Sequence, residues 1–75
     1  MRWREKYINL LVEMARSGVE WKDLEHATGK SRTSIYYKRL GTVEWKLEEM
    51  MAIQKFLKEK TGKEFPLDYL FKAEF

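Results

Sequence analysis

Apolar residues recur along this chain at the spacing of amphipathic α-helices, and this periodicity limits the fold more than any other feature. Trp3, Tyr7, Leu10, Leu11 and Met14 form one such stripe. The first predicted helix carries this stripe and ends near Ser17. Four more helices are predicted over 21–27, 32–39, 47–60 and 66–71, the last with Pro66 at its first position. No strand pattern or repeat interrupts them. The expected fold class is therefore all-α, a compact five-helix domain.

Length and composition exclude several classes of protein. The 75 residues allow one domain over 1–75. The chain has no cysteine, and a single histidine, His26, cannot build a metal site alone. We expect no cofactor, no catalytic constellation and no small-molecule ligand. No apolar run has the length of a signal peptide core or a membrane span.

Positive charge is concentrated in the middle of the sequence. The net charge is +3 for the whole chain, and residues 29–46 contribute an excess of cations over the single acid Glu44. Such a local basic segment is typical of a surface that binds a polyanion. The cations of this segment are Lys30, Arg32, Lys38, Arg39 and Lys46.

Two short predicted helices flank a tight turn within residues 20–40. Gly29 can adopt the left-handed conformation that such a turn needs, and Ser31 is a suitable N-cap for the helix that follows. That helix has one plainly apolar residue in its middle, Ile35, and therefore presents a broad polar face. This arrangement is typical of a helix-turn-helix unit.

The outer face of the second helix predicts contacts with double-stranded DNA. Arg32, Thr33, Tyr36 and Tyr37 are expected to meet base edges in the major groove, where arginine can bond bidentately to guanine. Other side chains near this helix are suited to the phosphate backbone. These are Ser31, Lys30, Lys38, Arg39 and Lys46.

Residues 29–35, Gly-Lys-Ser-Arg-Thr-Ser-Ile, resemble the turn and recognition helix of lambda-repressor-like helix-turn-helix proteins of the Cro and repressor type. Residues 35–49 and 65–71 are similar to short phage and plasmid members of that family. The resemblance spans about residues 3–71. It implies a lambda-repressor-like fold and a transcriptional repressor or regulator of phage or mobile-element type.

The sequence departs from the family at four positions around the motif. Glu25, Thr28 and Lys30 stand where the family favours Ala, Leu and Ile. Trp21 replaces a glutamine that often holds phosphate, so Trp21 is either a core residue or an indole N–H donor to phosphate.

Large apolar residues near the C-terminus have two interpretations. They either close the core beneath the first helix or form a dimer interface, since exposed apolar patches usually mark association sites. Related domains pair as two-fold dimers, so a homodimer is expected, formed before or upon DNA binding. The residues concerned are Leu67, Tyr69, Leu70, Phe71 and Phe75.

Sequence-specific DNA binding in the cytoplasm of a bacterial host, near the nucleoid, is the leading hypothesis. A protein-interaction module, such as an anti-repressor or adaptor on the same fold, is the alternative. An excisionase-like protein would need a β-wing after Gly41, where the sequence predicts a helix instead.

Overall fold

A computed structural model describes residues 5–73 of the chain and gives this part five helices and no strand. The all-α prediction is therefore confirmed for the described residues. The helices, in chain order, are α1 (Ile8–Ser17), α2 (Trp21–Thr28), α3 (Arg32–Leu40), α4 (Leu47–Thr61) and α5 (Leu67–Leu70). None of these helices is long and apolar enough to cross a membrane.

Helix α1 begins later than the apolar stripe suggests. Tyr7 is its cap residue and lies outside the helix, although its side chain is buried. The backbone N–H of Lys6 donates to the carbonyl of Arg39 at 3.1 Å. This bond ties the segment before α1 to the last turn of α3. Trp3, the predicted first member of the stripe, lies outside the described residues.

The core forms around α4, which packs against α1, α2 and α5. Helix α2 also packs against α3. Each described helix has at least one aliphatic side chain that is almost fully enclosed, because each helix turns its apolar stripe inward. These side chains are Leu10, Leu24, Ile35, Ile53, Leu57 and Leu70.

The C-terminal segment closes this core. Leu70 is fully buried, and the ring of Phe71 packs edge-on against Tyr7 and Trp45 with centroid distances of 6.1 and 5.6 Å. The hydroxyl of Tyr69 donates to the Glu13 carboxylate on α1 at 2.6 Å. Leu70 and Phe71 therefore close the core beneath α1, which is the first of the two interpretations given for the C-terminal apolar residues.

Candidate nucleic-acid interface

Helices α2 and α3 form a packed pair joined by the turn at residues 29–31. Gly29 has a φ of 71°, in the left-handed region that side chains disfavour, and its N–H donates to the Glu25 carbonyl at 2.8 Å. The Ser31 hydroxyl accepts a hydrogen bond from the Ser34 N–H at 3.2 Å, as expected of an N-cap. The predicted helix-turn-helix pairing is confirmed.

The polar residue at position 28 has a structural role in this turn. The Thr28 hydroxyl donates to the Leu24 carbonyl at 2.7 Å and accepts from the Lys30 N–H at 3.3 Å. These two bonds tie the Thr28 side chain to the backbone on both sides of Gly29. Thr28 thus contributes to the turn through local hydrogen bonding.

Helix α3 has one face turned inward and one turned outward. Ile35, with 1% of its surface exposed, is the apolar anchor, and Lys38 lies one turn further along the same inward face. Arg32 and Thr33 are exposed, and Tyr37 is 45% exposed. Tyr36 is half-buried and meets the Tyr37 ring edge-on at 5.5 Å. The four predicted base-reading residues are thus brought together on one helix, three of them at its surface.

Two of the predicted DNA-contacting cations remain unpaired within the described part of the chain. The guanidinium of Arg32 and the ammonium of Lys46 make no ion pair or hydrogen bond with residues 5–73. Both residues are exposed, and Ser31 is exposed beside Arg32. A negatively charged ligand that binds Arg32 or Lys46 therefore does not have to displace a carboxylate of residues 5–73.

The Lys38 ammonium does not reach the surface. It donates to Oε2 of Glu49, is only 5% exposed, and lies 5.8 Å from the centre of the Trp45 ring. Because this ammonium is buried and paired with a carboxylate, phosphate cannot reach it, and the predicted contact of Lys38 with the DNA backbone is corrected. The i, i+3 spacing of Ile35 and Lys38 is the signal that places them on one face.

Lys30 and Arg39 are paired but partly exposed. The Lys30 ammonium lies 3.7 Å from the Glu49 carboxylate. Arg39 forms an ion pair with Glu5, and its guanidinium stacks 4.1 Å from the centre of the Trp21 ring. Glu49 and Glu5, which lie outside residues 29–46, therefore neutralise part of the basic segment. The count of charges along the sequence did not predict this pairing.

Glu49 is the functional candidate that sequence analysis missed. Glu49 forms part of the cap of α4, since its Oε1 accepts from the Lys46 N–H at 2.9 Å. Burial alone raises the pKa of the Glu49 carboxyl, but hydrogen bonds from Lys38 and Lys46 and the charges of Lys38 and Lys30 outweigh it. The pKa therefore lies below its ordinary value, and the group stays ionised at neutral pH.

Trp21 is half-buried and forms one wall of an open cleft of about 650 Å³ between α1, α2 and α3. Arg39 covers its ring, so Trp21 supports that arginine at the edge of the cleft. Arg32 and Glu25 also line the cleft.

The residues of the suggested dimer surface lie in different environments. Leu70 has no exposed surface, and Leu67 and Phe71 are half-buried. Tyr69 is the exposed one, while Phe75 lies outside the described residues. Within residues 5–73, no group of acids and histidine is arranged to hold a metal ion.

No protein-family model, curated protein or solved structure matches this chain.

Proposed function

We propose that this chain binds double-stranded DNA sequence-specifically, with α3 in the major groove. The observation that carries the proposal is the division of α3 into an inward face held by Ile35 and an outward face with an unpaired Arg32. The major groove, about 12 Å wide, admits an α-helix and displays a distinct pattern of donors and acceptors for each base pair.

The exposed residues of α3 have chemistry suited to base edges. Arg32 can donate two parallel hydrogen bonds to O6 and N7 of guanine, and Thr33 can contact a thymine methyl group. Tyr37, with Tyr36 beside it, extends the same face by one turn. Ser31 and Lys46 are suited to phosphate oxygens on either side of α3, with Lys30 and Arg39 contributing their exposed portions.

The biological role that we infer is transcriptional repression or regulation of the phage or mobile-element type, in a bacterial cytoplasm. The resemblance of residues 29–35 to lambda-repressor-like recognition helices supports this role. A two-fold dimer would bring two copies of α3 about 34 Å apart, which is one turn of DNA. Among the described residues of the suggested dimer surface, Leu67, Tyr69 and Phe71 retain exposed area.

Titration of DNA with the parent and with Arg32→Ala tests the proposal. Loss of a bidentate base contact should cost about 1–3 kcal/mol of specific binding free energy and relax the preference at one base pair. Lys46→Ala should weaken binding to all sequences and lower the slope of log affinity against log salt by about one unit. Arg16→Ala is the matched control, because Arg16 is an exposed arginine on α1.

Parent-like binding by Arg32→Ala would contradict this placement of the site. Absent or salt-independent DNA binding, with retained capture of a protein partner, would instead favour the interaction-module alternative.

A further inference from the structure

Glu49, in the first turn of α4, has a carboxylate that is almost completely enclosed, with 2% of the residue exposed. One oxygen accepts from the backbone N–H of Lys46, and the other accepts from the ammonium of Lys38. The ammonium of Lys30 lies 3.7 Å from the second oxygen. All the charge partners of Glu49 therefore come from α3 and its preceding turn.

These partners lie at opposite ends of α3. Lys30 immediately precedes the N-cap Ser31, whereas Lys38 is in the last turn. Among the described helices, only α2 packs its backbone closely against α3. A single carboxylate on α4 therefore makes a charged link to both ends of α3, in addition to the Arg39–Glu5 ion pair at the last turn.

We propose that Glu49 is a positioning residue that sets the angle at which α3 is presented to DNA. This inference rests on the proposed DNA-binding function. Ile35 is the only residue of α3 in the buried apolar core, so the polar contacts of this helix also constrain its angle. The Lys38–Glu49 hydrogen bond is directional, and hydrogen bonds weaken steeply as their angle closes.

Burial of the Lys38–Glu49 ion pair restricts the orientations that α3 can adopt. Trp45 lies over the Lys38 ammonium, and both charged side chains have almost no exposed surface. A charge that leaves its partner here is not compensated by water, so misaligned arrangements of α3 are disfavoured. A change in angle of α3 moves Arg32 and Tyr37, on its outer side, relative to the base edges.

Glu49→Gln is the principal test, because glutamine keeps the size of the side chain and can still accept from the Lys46 N–H. Glu64→Gln is the matched control, since Glu64 is exposed and, among residues 5–73, pairs only with Lys58. Two quantities are measured for each variant at a temperature where circular dichroism shows it folded. One is the orientation of α3 relative to α4, obtained from residual dipolar couplings of the backbone amides. The other is the ratio of specific to non-specific DNA affinity.

We expect Glu49→Gln to change the α3 couplings and to lower the affinity ratio about tenfold, the size of one lost base-pair contact. The specific affinity itself should fall, whereas non-specific affinity should stay at or above that of the parent, because loss of the Glu49 charge leaves Lys30 less neutralised. Glu64→Gln should match the parent in both quantities. A simple loss of folded protein would lower both affinities by the same factor, so an unchanged ratio in Glu49→Gln overturns the proposal.

The double variant Lys38→Met/Glu49→Leu covers the case in which Glu49→Gln does not fold. Apolar replacement of a buried ion pair commonly preserves or raises stability. We expect this variant to fold and to keep the low affinity ratio, because the directional link is gone. A parent-like ratio would show that the pair only stabilises the fold, and would overturn the proposal.

Failure of the proposed function has a different signature. If the parent shows no sequence preference, the DNA-binding proposal fails. The role of Glu49 in positioning α3 is then tested by the dipolar couplings alone. Unchanged α3 couplings in Glu49→Gln then overturn the positioning role, and changed couplings support it for the helix itself.

Discussion

Truncation of Ile35 to alanine tests whether α3 is anchored by one aliphatic side chain. Ile35 is 1% exposed, and it is the only apolar residue of α3 in the buried core. Its replacement removes most of a side chain from a site bordered by the rest of the core, where such truncations cost about 2–5 kcal/mol. A domain of this size has a net stability of about 3–5 kcal/mol. The alanine variant should therefore lie near its unfolding midpoint without denaturant.

Ile35→Val gives a measurable intermediate, with an expected loss of about 0.5–1.5 kcal/mol. Urea denaturation followed by far-ultraviolet circular dichroism and tryptophan fluorescence is the assay. With a slope of about 1 kcal/mol per molar urea, the midpoint should fall by about 0.5–1.5 M.

Val12→Ala is the control, because Val12 is on α1 and 36% exposed. Its stability should stay within about 0.5 kcal/mol of the parent. The reasoning is refuted if Ile35→Ala loses less than about 1 kcal/mol, or if Val12→Ala loses as much as Ile35→Ala.

Two further tests of the fold are the dependence of stability on acidic pH and the substitution of Gly29 in the turn. Because the pKa of Glu49 in the folded chain is below its ordinary value of 4.5, its stabilising contribution is complete above pH 4.5 and is lost as the pH falls through the lower folded value. The urea midpoint should therefore fall in acid less steeply for Glu49→Gln than for the control Glu64→Gln, and identical profiles would contradict this. Gly29→Ala should lose about 1–2 kcal/mol from its φ of 71° alone, since no atom lies within 4 Å of an added Cβ. Gly29→Asn should lose less in the same denaturation assay, and parent-like stability of the alanine variant would refute the argument.

The helices themselves could be predicted because their signals are local. Apolar periodicity located the helical segments, and Ser31 marked the start of α3. Pro66 indicated α5, whose cap position it occupies. The inward direction of Ile35 and the exposure of Tyr37 also followed from helical spacing. Such features depend on residues within one or two turns, and these are visible in the sequence.

The ion pairs could not be predicted because they join segments distant in sequence. The count of charges along the chain predicts that Lys38 is a surface cation. In the structure Lys38 is paired with Glu49, which lies 11 residues later in the sequence on another helix. Arg39 is paired across 34 residues with Glu5. Only the packing of the helices decides which cations are neutralised, and so which ones remain for a ligand.

The C-terminal segment shows the same limit. The sequence left Leu70 and Phe71 open to a role in the core or in a dimer, because both roles require large apolar side chains. Contacts with Tyr7 and Trp45 place Phe71 against the core. Both contacts join Phe71 to residues far from it in the sequence, so no local pattern could distinguish the two roles.

Selection of bound sequences from a random pool of double-stranded DNA tests the central claim most directly. The parent chain should enrich a defined motif, with half-sites one helical turn apart if it binds as a two-fold dimer. The Arg32→Ala variant should enrich the same motif with the preference at one base pair lost. No enrichment by the parent, or an unchanged motif with Arg32→Ala, would contradict the claim that α3 reads DNA through Arg32.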